Sequence, residues 1–417
     1  MKRNNYLLLF LLFFCSTSVL SAQSKEEKKP IKVKFGGYVH SLFSYDTRQN
    51  VSAREGHIYL YPKDEALDAN GKDSNEGGVF NLASIRSRFN AKITGPDVLG
   101  AKTSGLLEAD FIGMSNNDVN GVRLRHAYVN LSWGKTSLLV GQTWSPLFVT
   151  EVFPGTVGAN SGLPFKPFVR NPQIRLTHRT ENWKFLAALA TERDHISTGP
   201  EGYSNKYLQN AGLPIMQGQV HYYAGKHIIG ASAEFKTIKP ALKTATGYKA
   251  EETLSSWAMM GYFKLDFKPV TFKAQATYGS NLTDMLMLGG YAAKGLNSIT
   301  DEASYTPIKV LGTWADLSYQ KNDYTFALLA GYSKNYGADD KVVPNMIYSR
   351  SQNIGELYRI APRVCKKINQ LKIELEIEHT AAAYADSNDG AINEKAEVIN
   401  SHWVANTRVM LGLYYFF

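Results

Sequence analysis

The last seventeen residues of the chain, 401–417, alternate between two kinds of side chain. One set is apolar or aromatic: Trp403, Ala405, Val409, Leu411, Leu413, Tyr415 and Phe417. The other set is mostly polar: His402, Asn406, Arg408 and Gly412. A period of two predicts a β-strand with two unlike faces. A soluble edge strand with this apolar face would invite aggregation, whereas a strand that closes a membrane barrel has no free edge and directs its aromatic residues to lipid.

The start of the chain has the composition of a secretory signal peptide. Lys2 and Arg3 precede an apolar run over residues 6–14, and small residues follow up to Ala22. This order predicts a signal peptide over 1–22, cleaved after Ala22, and therefore export. Residues 23–31 would then form a short, charged periplasmic leader, and residues 32–417 the folded unit. Cys15 allows a lipoprotein signal as an alternative, but the bulky Phe14 before it argues against lipidation.

Composition narrows the class of the exported part. Beyond the signal, no segment approaches the roughly 20 apolar residues that a membrane-spanning helix needs. A mean hydropathy of −0.25 fits a membrane β-barrel, because only alternate residues of its strands meet lipid. Without residues 1–22, Cys365 is the single cysteine, so an intrachain disulfide is excluded. With no linker or composition break, one large all-β unit is favoured.

Connection lengths predict a transmembrane antiparallel β-barrel of about sixteen strands. Short connections, such as the tight turns at 134–135, 225–226 and 268–269, alternate strictly with long ones. The long loops are predicted at 48–81, 114–121, 146–172, 192–214, 240–254, 281–308, 337–352 and 385–400. Outer-membrane barrels have short periplasmic turns and long external loops, whereas a soluble β-sandwich has long connections at both ends.

One predicted strand, over residues 122–133, changes phase along its length. Val122 and Leu124 share one parity, whereas Ala127, Val129 and Leu131 share the other. An extra residue in one strand of a pair shifts the parity in this way, so we predict a β-bulge near His126.

Arginines recur on the side of the strands that faces away from lipid. A barrel of about sixteen strands encloses a water-filled channel, so these side chains would line a pore. The predicted pore-lining arginines are Arg86, Arg88, Arg123, Arg125 and Arg175 on the early wall, and Arg359 and Arg408 near the closing seam. Because guanidinium stays charged and grips carboxylate or phosphate with two parallel hydrogen bonds, such a row would concentrate anions. The alternative is that the arginines neutralise pore-lining acids such as Glu108 and Asp110.

Two of the long loops differ in character. Loop 146–172 is aromatic, rich in Gly and Pro and nearly uncharged. It would suit either a constriction folded into the barrel or packing against a neighbouring subunit. Loop 48–81 carries five acids between residues 64 and 76, so we expect it on the exposed surface; its acids lack the ligand spacing of a calcium loop.

Enzyme signatures are missing from the sequence. It holds no GxSxG, HExxH or CxxC motif and no phosphate-binding loop in the required context, so we expect no enzyme, cofactor or metal site, and no nucleic-acid partner. A barrel enzyme and an adhesive or structural anchor in the outer membrane remain as alternatives to a channel.

Five segments carry a resemblance to a known family. They are VKFGGY at 33–38, SIRSRF at 84–89, VRLRHAY at 122–128, LVGQTWS at 139–145 and LYYFF at 413–417. In these the chain resembles sixteen-stranded general porins, most closely the DcaP-like trimeric porins of the Gram-negative outer membrane. The resemblance implies a homotrimer surrounded by lipid and lipopolysaccharide, an inward-folded third loop, and a preference for small anions such as dicarboxylates. Longer family members carry a coiled-coil extension, for which residues 23–31 are too short.

Overall fold

The computed structural model describes residues 30–387 and 390–417. The predicted signal peptide, and all but the last two residues of the predicted leader, lie outside the described residues. In chain order the strands of the first half are β1 (Lys32–Arg48), β2 (Asn50–Ala53), β3 (Ile58–Pro62), β4 (Glu76–Ala83), β5 (Arg88–Thr94), β6 (Lys102–Asp110), β7 (Arg123–Trp133), β8 (Thr136–Trp144), β9 (Arg170–Arg179), β10 (Trp183–Ala190), β11 (Thr198–Gly199) and β12 (Gly202–Tyr203). Those of the second half are β13 (Ile215–Ala224), β14 (His227–Ile238), β15 (Leu254–Phe267), β16 (Val270–Ser280), β17 (Gly290–Leu296), β18 (Ala303–Lys321), β19 (Tyr324–Ala338), β20 (Ile347–Ser349), β21 (Ile354–Ile368), β22 (Leu371–Ala385) and β23 (Ser401–Phe416).

Sixteen antiparallel strand positions form a closed barrel wall, as the sequence predicts. β4 and β5 share the second position, and the short strands β2, β3, β11, β12, β17 and β20 belong to the long connections. The barrel closes where β1 pairs with β23, from Tyr38 opposite Phe416 to Asp46 opposite Arg408. The backbone N–H of Phe417 donates to the carbonyl oxygen of Gly37 at 3.2 Å, so the last residue of the chain completes the seam.

The alternation along residues 401–417 has the predicted cause. Leu411, Leu413 and Tyr415 point outward and are about half exposed. Met410 and Tyr414, which have the opposite parity, are buried in the barrel. In a membrane the outward side chains meet lipid, so their exposure to solvent in the isolated chain is no defect.

The connections separate by length between the two ends of the barrel. The tight turns lie at one end, for example at 134–135 and 322–323. The long loops lie at the other end: L1 (49–75), L2 (111–122), L3 (145–169), L4 (191–214), L5 (239–253), L6 (281–302), L7 (339–353) and L8 (386–400). One short helix, α1 (Lys206–Ala211), lies in L4, and single 3-10 turns occur at Asn116–Asp118 and Thr283–Met285. Within the described part of the chain, no helix has the length and apolar character needed to cross a membrane.

L1 and L3 fold into the barrel, where their apolar side chains pack with those of L6 and of the inner wall in the main buried cluster. For L3 this confirms the predicted inward fold. For L1 the expectation of an exposed loop was wrong over its first part, because β2 and β3 form a hairpin whose residues 58–61 are all buried. The four-residue run Ile-Tyr-Leu-Tyr at 58–61 supplies the apolar surface, and only the acidic part that follows stays outside.

Candidate functional site

L3 crosses the interior from the early wall to the opposite wall. It leaves from β8, and its far part reaches β21 and β22. There the backbone N–H of Val157 donates to Glu376 Oε2, and Asn160 Nδ2 donates to Glu378 Oε2, both at 3.2 Å. The ring of Phe165 lies against Gly331, where an added Cβ would come within 2.6 Å of it. The missing side chain on the wall therefore makes room for the loop.

Between L3 and the early wall a cavity of about 180 Å³ remains. Four of the predicted arginines line it: Arg86, Arg88, Arg123 and Arg125. Its apolar lining includes Trp144, Phe148, Phe153 and Phe168 beside L3, Ile58 of L1, and Ile112 of L2. The structure thus gathers four guanidinium groups from two wall positions at one narrow, aromatic-lined space.

A break in the second wall position places Arg86 and Arg88 in this cavity. The sequence predicts one continuous strand over 82–94, but residues 84–87 leave the ladder and separate β4 from β5. The Ser87 hydroxyl takes over part of the pairing, accepting from the His40 backbone N–H at 3.0 Å and donating to its carbonyl oxygen at 3.3 Å. The four-residue break opposes only three residues of β1, so Ile85, predicted to face lipid, turns inward and is buried.

A β-bulge places Arg123 and Arg125 on the same inner surface. Glu108 pairs with His126 and Ala109 pairs with Leu124, so Arg125 is the extra residue in β7. Leu124 points outward while both arginines are buried, which confirms the bulge predicted near His126.

Glu108 and Asp110 on β6 neutralise part of this charge. Arg123 grips Asp110 with two parallel hydrogen bonds of 2.9 and 2.8 Å. Arg125 donates to Glu108 at 2.8 Å and to Asp110 at 2.9 Å, while Arg88 lies 3.4 Å from Glu108. Arg86 has no carboxylate within ion-pair distance in the described chain and donates to the carbonyl oxygen of Val157 at 2.6 Å.

Three charged residues that the sequence analysis missed come from loops or their edges. Arg170, at the start of β9, donates to Asp194 of L4 at 2.6 Å, and its guanidinium lies 4.4 Å from the centre of the Trp144 ring. Arg54 of L1 donates to the carbonyl oxygen of Met114 at 2.9 Å. Burial raises the pKa of Asp194, but the charges of Arg170, His195 and Arg123 outweigh this effect and hold the pKa well below its usual range.

The cluster as a whole carries excess positive charge. Its cations are Arg54, Arg86, Arg88, Arg123, Arg125 and Arg170, and its carboxylates are Glu108, Asp110, Asp118 and Asp194. Six guanidinium groups therefore face four carboxylates. Arg88 Nε, Arg123 Nη1 and two nitrogens of Arg170 lack hydrogen-bond partners in the described chain.

The other predicted arginines lie elsewhere. Arg175 borders a separate cavity of about 310 Å³, where its guanidinium donates to Gln173 Oε1 at 2.9 Å and to the Trp144 carbonyl oxygen. Arg359 and Arg408 differ from the expected pore lining, because L1 and L3 cover both of them. Arg359 donates to the carbonyl oxygens of Leu163 in L3 and Leu60 in L1, and Arg408 binds Asp46 and the Gly56 carbonyl oxygen of L1.

No group of three or more His, Cys, Asp or Glu suited to holding a metal ion occurs in residues 30–387 and 390–417.

Comparison with known proteins gives a family match and a shared fold. Residues 20–204 match the family described as DcaP outer membrane protein. No curated protein matches the sequence. The solved outer membrane channel DcaP of Acinetobacter baumannii superimposes with a TM-score of 0.67 at 15% identity, covering 93% of this chain and 98% of that one.

Two further structures show the same architecture. The trimer form of the outer membrane protein OmpT of Vibrio cholerae has a TM-score of 0.56 at 10% identity, with 93% of this chain and 100% of that one covered. An anion-selective porin from Comamonas acidovorans has a TM-score of 0.55 at 11% identity, with the same coverage. The shared barrel shows that the chain has the fold of the porins, and the match over residues 20–204 shows that this part of the chain is similar to the DcaP outer membrane protein family.

Proposed function

We propose that the protein is a channel for passive diffusion of small hydrophilic solutes across the Gram-negative outer membrane, with a preference for anions such as dicarboxylates. The excess of guanidinium groups at the L3 cavity carries this proposal. Four arginines line the narrow space that L3 leaves beside the early wall, and the carboxylates that pair with them on that wall are Glu108 and Asp110. Fixed charges of one sign in a low-dielectric constriction raise the local concentration of the opposite ion.

Unused hydrogen-bond donors favour carboxylates over halide-like ions. Arg86 donates a hydrogen bond only to a neutral carbonyl oxygen, and Arg88 Nε has no hydrogen-bond partner in the described chain. Arg123 Nη1 makes no hydrogen bond there and lies 3.7 Å from Asp194 Oδ1. A guanidinium presents its N–H groups as a planar fork that matches the two oxygens of a carboxylate. Because the arginines lie on two different wall positions, a solute with two carboxylates could contact both at once, while its carbon chain lies along Phe148 and Trp144.

The proposed setting is a homotrimer embedded in outer-membrane lipid and lipopolysaccharide, with no catalytic step and no cofactor. The Vibrio cholerae neighbour is described in a trimer form and the Comamonas acidovorans neighbour as anion-selective, so this barrel type is compatible with both features. A barrel enzyme or an adhesive anchor, the alternative classes, would not need to conduct ions.

The test is permeation by purified protein in liposomes and planar bilayers. We expect ion-conducting channels, and uptake of succinate faster than uptake of a neutral solute of equal size. The preference should fade between 0.1 and 1 M salt, because the screening length falls from about 10 Å to about 3 Å. A protein that forms no channels, or that takes up both solutes equally at low salt, contradicts the proposal.

A further inference from the structure

The cavity that holds Arg175 is distinct from the arginine-lined space described above. It lies further along β9, toward the tight turn between β9 and β10, because Arg175 follows Arg170 by five residues in that direction. Lys184 at the start of β10 and Glu151 of L3 also border it. At about 310 Å³ it is the larger of the two cavities.

An aromatic pair separates the two spaces. Trp144 and Phe148 are stacked with ring centroids 3.8 Å apart and an interplanar angle of 12°. Both residues, together with Thr150, line both cavities. A solute that moves from the loop end to the turn end along this wall therefore passes from one space to the other beside the same pair of rings.

The second cavity also carries a net positive charge. Lys184 donates to Glu151 at 2.6 Å, so this lysine and this carboxylate neutralise each other. Arg175 touches only neutral acceptors, Gln173 Oε1 through Nε and the Trp144 carbonyl oxygen through Nη2. No carboxylate lies within ion-pair distance of Arg175 in the described chain, and Nη1 remains for the cavity.

We propose that this cavity is a second anion-binding station, the first station being the arginine-lined cavity beside L3. In the second station, Arg175 holds one carboxylate group of a solute that has moved past Trp144 and Phe148 from the first. Tyr128, which also lines it, adds a neutral hydroxyl group beside the same solute. Two weaker stations in series let an anion bind well enough to enter and still leave. The inference rests on the proposed function, because it needs an anion-conducting channel.

The test is block of the chloride current by succinate, added to each side of the bilayer in turn. Arg175→Gln should weaken the block from one side by roughly tenfold, the loss expected for one charge-assisted contact. Arg88→Gln should weaken it from the opposite side. Arg175→Lys, which keeps the charge and loses the fork, should fall between wild type and Arg175→Gln. Arg193→Gln, which removes an exposed guanidinium of L4 that lines neither cavity, is the matched control and should leave both values unchanged.

The outcomes separate the two proposals. If wild type is anion-selective and Arg175→Gln leaves the block unchanged from both sides, or weakens it equally from both, the second station is refuted while the proposed function stands. If Arg175→Gln does not fold, the test uses Arg175→Lys. The second station is refuted if succinate blocks the current of this variant as strongly as that of wild type from both sides. If wild type itself shows no preference for anions, both proposals fall.

Discussion

Arginines on the early wall and arginines on the late wall point into the same barrel and have opposite surroundings. On the early wall and its loops, six guanidinium groups share four carboxylates, and four of the six line a cavity. The late wall consists of β18, β19, β21, β22 and β23 and closes against β1. There Arg359, Arg363 and Arg408 lie among five inward carboxylates, Asp46, Asp316, Glu374, Glu376 and Glu378. Arg359 is fully buried and Arg408 is 3% exposed. Arg123, Arg125 and Arg170 are as buried as these late arginines, so the difference is one of charge and hydrogen bonding: the early set outnumbers its carboxylates and keeps donors without hydrogen bonds, whereas the late set is outnumbered by carboxylates.

This difference shows that an arginine can point into the barrel without lining a pore. L1 and L3 lie against the late wall and use its arginines as donors for their backbone carbonyls at Leu60, Leu163 and Gly56. To Arg86 and Arg88 the same loops offer, within the described residues, one hydrogen-bond acceptor, the carbonyl oxygen of Val157. The late arginines therefore stabilise the constriction, whereas Arg86, Arg88, Arg123 and Arg125 line the cavity beside it.

The largest effect on stability is expected for Arg359→Ala. The change removes donors to L1, L3 and Thr380 and leaves Glu378 buried without the cation that lies 3.4 Å away. Stripping one partner from a buried pair costs about 4 kcal/mol. Urea unfolding of the reconstituted barrel measures the loss. The matched control, Arg88→Ala, should cost less than about 1 kcal/mol, because its contact with Glu108 is long and partly exposed. Equal losses in the two variants would abolish the distinction between the walls.

A smaller loss is expected for Arg408→Gln. Arg408 holds Asp46 through two 2.8 Å bonds at the closing seam, so its removal leaves a buried carboxylate and should cost about 3 kcal/mol. Adding Asp46→Asn should recover part of the loss, since no charge is then left unpaired. If the double variant is less stable than Arg408→Gln by the full cost of Asp46→Asn, the two residues act independently and the pairing account is wrong.

Lys166 lies in the middle of L3 and belongs to neither set of arginines. Its replacement by an apolar residue should increase the stability of the protein. Its Nζ is buried without a hydrogen-bond partner, 3.6 Å from the centre of the Phe148 ring. Burial holds the pKa of Lys166 well below its ordinary value of 10.5, so the folded state binds fewer protons than the unfolded state. This cost is greatest at low pH, decreases as the pH rises towards 10.5 and disappears above it.

Lys166→Met should therefore raise the free energy of unfolding by about 1 kcal/mol at pH 7. The advantage over wild type should shrink at pH 10. Unfolding curves of both proteins at the two pH values check this. A loss of stability at pH 7 would show that the amine has a partner in the membrane-embedded protein.

The smallest effect concerns the hairpin of L1. The Tyr384 hydroxyl donates to the Pro62 carbonyl oxygen at 2.7 Å and ties the end of β3 to the late wall. Tyr384→Phe should cost about 1 kcal/mol and increase the fluctuation of the open-channel current, because the hairpin is held less firmly. Tyr415→Phe, which alters an outward tyrosine, is the control. Unchanged current noise in Tyr384→Phe would mean that this bond does not restrain L1.

The sequence predicts the barrel because its signals are local. Alternation of side chains, as in residues 401–417, and the contrast between tight turns and long loops depend only on near neighbours along the chain. The bulge in β7 could be predicted for the same reason, since Leu124 and Ala127 report opposite parities within three residues. These patterns also placed Arg123 and Arg125 on the inner surface.

The loops limited the prediction, because their positions depend on distant contacts. The acidic residues from 64 onward led to the prediction of an exposed loop. The apolar run at 58–61, just before them, is itself a signal for a buried hairpin. Arg54 and Asp194 reach the early cluster only because L1 and L4 fold inward, and no local period marks them. Arg86 lies beside a cavity, whereas Arg359 lies beneath two loops. This difference likewise depends on the positions that L1 and L3 take inside the barrel.

The reversal potential of single channels under a salt gradient tests the central claim most directly. Wild type should prefer chloride over potassium. Arg86→Glu with Arg88→Glu inverts the balance of charge at the cavity, so the reversal potential should shift toward cations while the barrel still folds. Lys243→Glu with Lys249→Glu makes the same change in net charge on the exposed loop L5 and should leave the potential nearly unchanged. If the double arginine variant folds and keeps the ion preference of wild type, the early arginines do not select solutes and the account is contradicted.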